Sequence, residues 1–340
     1  MKIILLLAVL LLLTCSASAA EKTRLLRGVN HDFVWTDDKD IPGLIQAMKD
    51  ARVQSVRIGI RWTSVEPERG KWVWDKTDRV VKQFREAKID VLCTLMSVPA
   101  WASGINPEEV KGFWDSYPPK DMKDWEQYVR KVVSRYKKEI RHWEIWNEEN
   151  GEDFYKPMPD APTYVRILRS AYKTAKKADP KSTVVLGGLQ MNGIIPNPWS
   201  PFKIENFLQK IYDAGGKPYF DVVNIHPYVT SAAAEGPAYC AKLCRDTVSV
   251  MKNNCDAGKP LWITETGLPT GSGVTEEMQA EHLKGIIREL GAIPEVEAIH
   301  WFQLRDYPSS ILGGEDSMGL LATDGRRKPS FDAYRKLAGK

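Results

Sequence analysis

Two glutamates in this chain stand where acid–base and nucleophilic chemistry can be done. Glu148 lies at the end of Trp143-Glu144-Ile145-Trp146-Asn147-Glu148-Glu149-Asn150. The front half of that stretch, from about Ile140, is rich in aromatic and β-favouring residues and too brief for a helix, which predicts a short buried strand. Glu265 closes a second such stretch, Leu261-Trp262-Ile263-Thr264-Glu265-Thr266-Gly267. In a parallel barrel the C-terminal strand ends form the reactive face, so a carboxylate there points to chemistry. Two of them supply what glycosidic cleavage needs, one acid/base and one nucleophile. A lone strand-end Glu reads as a solvated loop residue, whereas two inside a repeating strand–helix pattern favour catalysis. Glu149 rivals Glu148 by composition. Glu144 alternates with the tryptophans along its strand and is expected inside the barrel or behind the site. Arg57, in Ser55-Val-Arg-Ile-Gly-Ile60, is an arginine within an apolar strand, and a buried arginine calls for a carboxylate partner.

The elements that must position these residues alternate along the whole chain. Strands are predicted at Leu25–Asn30, Gln54–Ile60, Ile89–Met96, 140–146, Thr183–Gly187, Phe220–Ile225, 261–264 and Val296–Phe302. Helices are predicted at Ile41–Ala51, Asp75–Ala87, Asp121–Lys138, Thr163–Ala178, 202–213, 237–253, 275–290 and about 330–338. Eight such units predict an α/β fold closed as a (β/α)8 TIM barrel in a single domain, 21–340. A doubly wound sheet is the alternative. It calls for a Gly-rich phosphate loop after the first strand, which Gly28-Val-Asn-His does not supply.

Trp146-Asn-Glu148 after a strand, then Asn224-Ile-His-Pro-Tyr228, then Ile263-Thr-Glu-Thr-Gly267, resembles the retaining β-glycosidases of glycoside hydrolase clan A. Family 39 is the nearest likeness and family 5 the second, over nearly all of the mature chain and with the motifs in order. The resemblance implies Glu148, directly after Asn, as acid/base and Glu265 as nucleophile. It implies Asn147 as a hydrogen bond to the sugar 2-hydroxyl, Arg57 (rather than Arg61) and Tyr228 as partners of the nucleophile, and His226 on a sugar hydroxyl or beside Glu148. Trp301 matches the clan's aromatic floor under the sugar. His31 and Trp101 are further expected substrate contacts, and Trp35, Trp114 and Tyr117 are candidate outer platforms. Glu66, before Pro in the turn Trp62-Thr-Ser-Val-Glu-Pro, is read as loop architecture. The family 39 β-xylosidases carry a β-sandwich after the barrel, and the chain is expected to lack one.

Composition narrows the setting. Lys2, the apolar run Ile3–Leu13 and Cys15-Ser-Ala-Ser-Ala-Ala20 predict a secretory signal peptide over 1–20, cut after Ala19 or Ala20. That places the protein outside the cytoplasm, secreted or periplasmic; a lipid anchor at Cys15 is the lesser alternative, and no membrane span is expected. A net charge of +4 without a basic block points away from nucleic acid. Cys93 is expected buried and free. Cys240 and Cys255 are about 22 Å apart on one helix, too far to bridge, while Cys240 and Cys244 are one turn apart. No metal-ligand spacing appears, so neither metal nor cofactor is expected. The expectation is a secreted, monomeric, retaining hydrolase of a β-linked poly- or oligosaccharide, with a lean to endo action. A non-catalytic sugar-binding barrel and a transglycosylase are the alternatives.

Overall fold

The computed structural model describes residues 25–191, 202–229, 236–307 and 317–337. The predicted signal peptide and Cys15 lie outside the described residues. Eight strand positions are filled by β1 (Leu26–Asn30), β2 (Ser55–Arg61), β3 (Asp90–Met96), β4 (His142–Ile145), β5 (Thr183–Leu186), β6 (Val223–His226), β7 (Leu261–Thr266) and β8 (Val296–Trp301). A ninth short strand, Leu189–Gln190, pairs with β6. All pairings within the sheet are parallel.

The sheet order runs β5-β4-β3-β2-β1-β8-β7-β6 and ends on the Leu189–Gln190 piece. The two edges meet. Val185 bridges Val222 in parallel, Leu186 N–H donates to Val222 O at 3.0 Å, and Asp221 N–H donates to Val184 O at 2.7 Å. The barrel is therefore closed, as a TIM barrel requires. The expected fifth strand is broken at Gly187-Gly188: its lower half pairs with β4 and its continuation with β6. A side chain at 187 would overlap the Glu149 carboxyl, and one at 188 the His226 ring, so only glycines let the chain pass.

The helices are α1 (Ile41–Ala51), α2 (Asp75–Ala87), α3 (Met122–Tyr136), α4 (Ala161–Ala178), α5 (Ile204–Asp213), α6 (Gly236–Asn253), α7 (Glu276–Gly291) and α8 (Pro329–Leu337). Local chemistry fixes several starts. Asp121, Asp160 and Thr275 accept backbone N–H bonds from Lys123, Thr163 and Met278, capping α3, α4 and α7. None of the helices is long and apolar enough to cross a membrane, among the described residues.

Strand alternation sorts the core into two compartments. Along β2, Val56, Ile58 and Ile60 join the main apolar cluster with the helices, while Ser55 and Arg57 make contacts across the barrel. The floor of the barrel is a separate plug of Leu92, Val185, Val222, Trp262 and Ala298. Above it, His300 Nε2 meets Ser55 Oγ at 3.1 Å, and its ring fills the space a side chain at Gly28 would need. The polar residues that follow therefore rest on a packed base. Cys93, Cys240 and Cys244 are buried free thiols, and Cys255 is free and exposed, so the available Cys240–Cys244 pair is not bridged.

Candidate active site

Arg57 organises the barrel mouth. Its Nε and Nη2 donate to the two oxygens of Glu144 at 2.6 and 2.9 Å. Nη1 donates to Glu265 Oε1 at 2.5 Å and to Asn30 Oδ1 at 3.1 Å, and Nη2 also reaches Asn147 Oδ1 at 2.7 Å. The guanidinium thus ties β1, β2, β4 and β7 together. Glu144, fully buried, is the interior carboxylate its place in the strand implied, and it also accepts from Asn224 Nδ2 at 3.1 Å. A buried arginine flanked by carboxylates offsets charge that would otherwise be costly to bury. Arg61, the competitor, pairs with Asp32 at 2.9 Å instead.

Glu265 sits at the end of β7 with both oxygens engaged: Tyr228 Oη donates to Oε2 at 2.8 Å, opposite the Arg57 contact on Oε1. Glu148 follows β4 and has φ +52°, a left-handed backbone that turns its side chain at the strand end. Its N–H is held by Gly188 O at 3.1 Å, and its Oε1 lies 2.8 Å from His226 Nδ1. His226 Nε2 lies 2.9 Å from Thr264 Oγ1. Burial, reinforced by the nearby Arg57 charge, pulls the His226 pKa well below the ordinary imidazole range, so the ring is neutral.

One atom each of Glu148, His226 and Glu265 all lie within 4.8 Å of one another, so carboxyl oxygens of the two glutamates are that close. Two carboxylates and an imidazole are also the donor types of a metal site. Here Arg57, Tyr228 and His226 already engage the same carboxyl groups.

Trp301 is 2 % exposed, donates from Nε1 to Met318 O at 2.8 Å and packs beside His282 of α7. Alternation is the reason: Ala298 and His300 face the barrel interior, so Trp301 faces the helices. Trp301 thus offers no open face as the expected floor, and the next residue, Phe302, is half-buried and edge-on to Tyr228 at 6.4 Å. His31 is buried, with Nε2 3.0 Å from Thr36 Oγ1 and its ring stacked on Tyr307, and burial takes its pKa down to about 3. Through Thr36 and Tyr307 it supports the loop after β1. Trp101 donates to Glu66 O at 3.1 Å, packs edge-on against Trp62 and lies under Arg69, away from an open-platform role. Glu66 receives Trp62 Nε1 and Gly70 N–H, each at 2.8 Å, as loop architecture. The Trp35 side chain lies outside the described residues.

Sequence reasoning missed three supports. Asn30 donates to Thr264 O at 2.7 Å while accepting from Arg57. Asn224 donates to Thr264 Oγ1 at 2.8 Å and accepts from Thr264 N–H at 3.2 Å. Thr264 in turn holds His226. The signal for them was available in polar residues at inward-facing positions of otherwise apolar strands.

Residues 17–296 match the Cellulase family, glycosyl hydrolase family 5. The chain belongs to that family. The expected likeness to clan A is borne out, and the matching family model is that of family 5, the second of the two families expected. As a family 5 member it is a glycoside hydrolase, and its substrate is a carbohydrate. Endo-1,4-beta-xylanase 1 of Gibberella zeae is 25 % identical over 288 residues, covering 80 % of this chain and 76 % of that protein. Beta-galactosidase LacZ of Lactobacillus acidophilus is 28 % identical over 160 residues, 42 % of this chain and 23 % of that one. Among solved structures, a family 39 glycoside hydrolase from the gut symbiont Bacteroides cellulosilyticus WH2 superposes with TM-score 0.72 at 21 % identity. That match covers 93 % of this chain and 64 % of the other, so the family 5 chain spans under two thirds of that neighbour's length.

Proposed function

We propose that this family 5 hydrolase is a secreted, retaining β-glycosidase that cleaves a β-1,4-linked glycan from within, by double displacement. The observation that carries the mechanism is the approach of Glu148 and Glu265 oxygens within 4.8 Å. Retaining enzymes set their carboxyl groups about 5–5.5 Å apart, whereas inverting ones leave about 6.5–9.5 Å for a water.

Glu265 attacks the anomeric carbon. Its two oxygens are oriented by Arg57 and Tyr228, so the attacking group is fixed before the sugar arrives. Glu148 gives its proton to the leaving oxygen, then takes one from the water that releases the glycosyl-enzyme. Neutral His226, with its ring proton on Nδ1, donates to the Glu148 carboxylate of the second stage while Nε2 accepts from the Thr264 hydroxyl. Asn147, held by Arg57, stands beside both for a sugar hydroxyl, and Phe302 supplies the apolar surface at the mouth.

The β-1,4 linkage rests on likeness to the xylanase and on the neighbouring enzyme crystallised with Manb1-4GlcNAc, from Streptomyces cattleya. Secretion, and a mature barrel over 21–340, rest on the Lys2 and Ile3–Leu13 leader pattern. The experiment is hydrolysis of β-1,4-linked oligosaccharides followed by proton NMR. Initial appearance of the β-anomer supports the reading; initial α-anomer refutes retention.

A further inference from the structure

We infer that the stacked rings of Phe113 and Phe154 form a binding platform for the departing part of the glycan, beyond the bond being cleaved. The inference rests on the retaining reading above, because that reading makes Glu148 the residue beside the leaving oxygen.

Phe113 is 49 % exposed although it is a large apolar side chain, and Met158 nearby in the chain's next catalytic-face loop is 58 % exposed. The Phe113 ring lies 5.4 Å from that of Phe154, with 20° between their planes. Phe113 belongs to the loop after β3 and Phe154 to the loop after β4, both on the C-terminal face. Lys156 N–H donates to Ser116 O at 3.1 Å and fastens the two loops together, while Val98 N–H to Asp115 O at 2.8 Å closes the first loop on itself. Trp146 Nε1 also donates to Phe154 O at 2.8 Å, anchoring the pair to the end of β4. The stack is therefore held in place without being covered. An exposed, rigid aromatic surface is suited to the apolar C–H face of a pyranose ring.

Its position selects which sugars it meets. Gly151 N–H donates to Glu148 O at 2.7 Å and Phe154 N–H to Gly151 O at 3.1 Å, so two consecutive turns join Glu148 to Phe154. Each turn spans under about 7 Å, which puts Phe154 within roughly 14 Å of Glu148, about two or three sugar rings. The nucleophile enters from β7, across the barrel from β4. The sugar protonated by Glu148 leaves on the β4 side, where the two rings stand.

The test compares two substrate lengths in the full-length enzyme. Cellohexaose, xylohexaose and mannohexaose are set against the 2,4-dinitrophenyl β-glycosides of glucose, xylose and mannose, whose leaving group has no sugar to reach the rings. Phe113→Ala and Phe154→Ala should each lower the ratio of kcat/KM for the cleaved hexaose to that for its aryl glycoside by roughly three- to tenfold. Met278→Ala, an exposed apolar residue on α7, should leave the ratio unchanged. Phe113→Ala should keep the melting temperature of the wild type, since its ring is half exposed. An unchanged ratio in both phenylalanine variants overturns the platform. Turnover of aryl glycosides with no cleavage of any hexaose also overturns it, and leaves the retaining mechanism standing. No turnover of either class by the wild type refutes the parent reading and this one with it.

Discussion

Arg57 and Glu265 meet through a single nitrogen, Nη1, 2.5 Å from Oε1, while the other edge of the same guanidinium is held by Glu144 at 2.6 and 2.9 Å. The buried Glu144 fixes the plane of the arginine, and the arginine fixes the nucleophile. Lysine offers a point charge and cannot hold both carboxylates in those directions. Arg57→Lys should lower kcat/KM about 10²-fold or more, as expected for a misplaced reactive group. Arg57→Met strands two buried carboxylates and should cost about 3–5 kcal/mol of stability in urea unfolding. A lysine variant with near wild-type kinetics would show that the geometry of this contact is unimportant.

Glu149 gives a pH signature. Its carboxyl is fully buried against Gly187, and burial, with the Glu144 charge adding, pushes its pKa up to about 8. Below the unfolded pKa of about 4.5 both states hold the proton, and its contribution to stability is complete. Between there and about 8 the unfolded chain ionises first, so stability falls by about 1.4 kcal/mol per pH unit and then levels off. Glu149→Gln cannot titrate. Its melting temperature should therefore gain on the wild type as pH rises from 4.5 to 8. Parallel melting curves across that window would contradict the neutral buried acid.

The acid/base assignment is tested by rescue. Glu148→Ala should lose most activity on oligosaccharides but much less on 2,4-dinitrophenyl glycosides, whose leaving group needs no proton. Added azide should restore turnover and yield a β-glycosyl azide, since a small anion needs no general base. Rescue at Glu149→Ala in place of Glu148→Ala would move the acid to the neighbouring residue.

The parts of this site that were legible in the sequence are those whose position follows from a strand end. Glu148, Glu265, His226 and Tyr228 each close or follow a strand, and Arg57 betrayed itself as a charge in an apolar run. Asn30, Asn224 and Thr264 were less visible because their importance depends on which neighbours share a level inside the barrel, a matter of stagger between strands. Trp301 shows the sensitivity to alternation. One step in the chain separates Trp301, packed beside His282 of α7, from Phe302, edge-on to Tyr228. The break in β5 was hidden for a different reason: Gly187-Gly188 reads as a strand terminus, whereas two side chains distant in sequence, Glu149 and His226, occupy the space beside it.

The central claim is that Glu265 forms the covalent bond to the sugar. Incubating the wild-type enzyme with a 2,4-dinitrophenyl 2-deoxy-2-fluoro-β-glycoside of the sugar it cleaves should stall the second step and leave the glycosyl group attached. Peptide mass spectrometry of the labelled protein reads the attachment site directly. The mass increment should lie on Glu265, and Glu265→Gln should acquire none. A label on Glu148, Glu149 or any other residue would contradict the mechanism, as would release of the dinitrophenol without a covalent adduct and with inverted product.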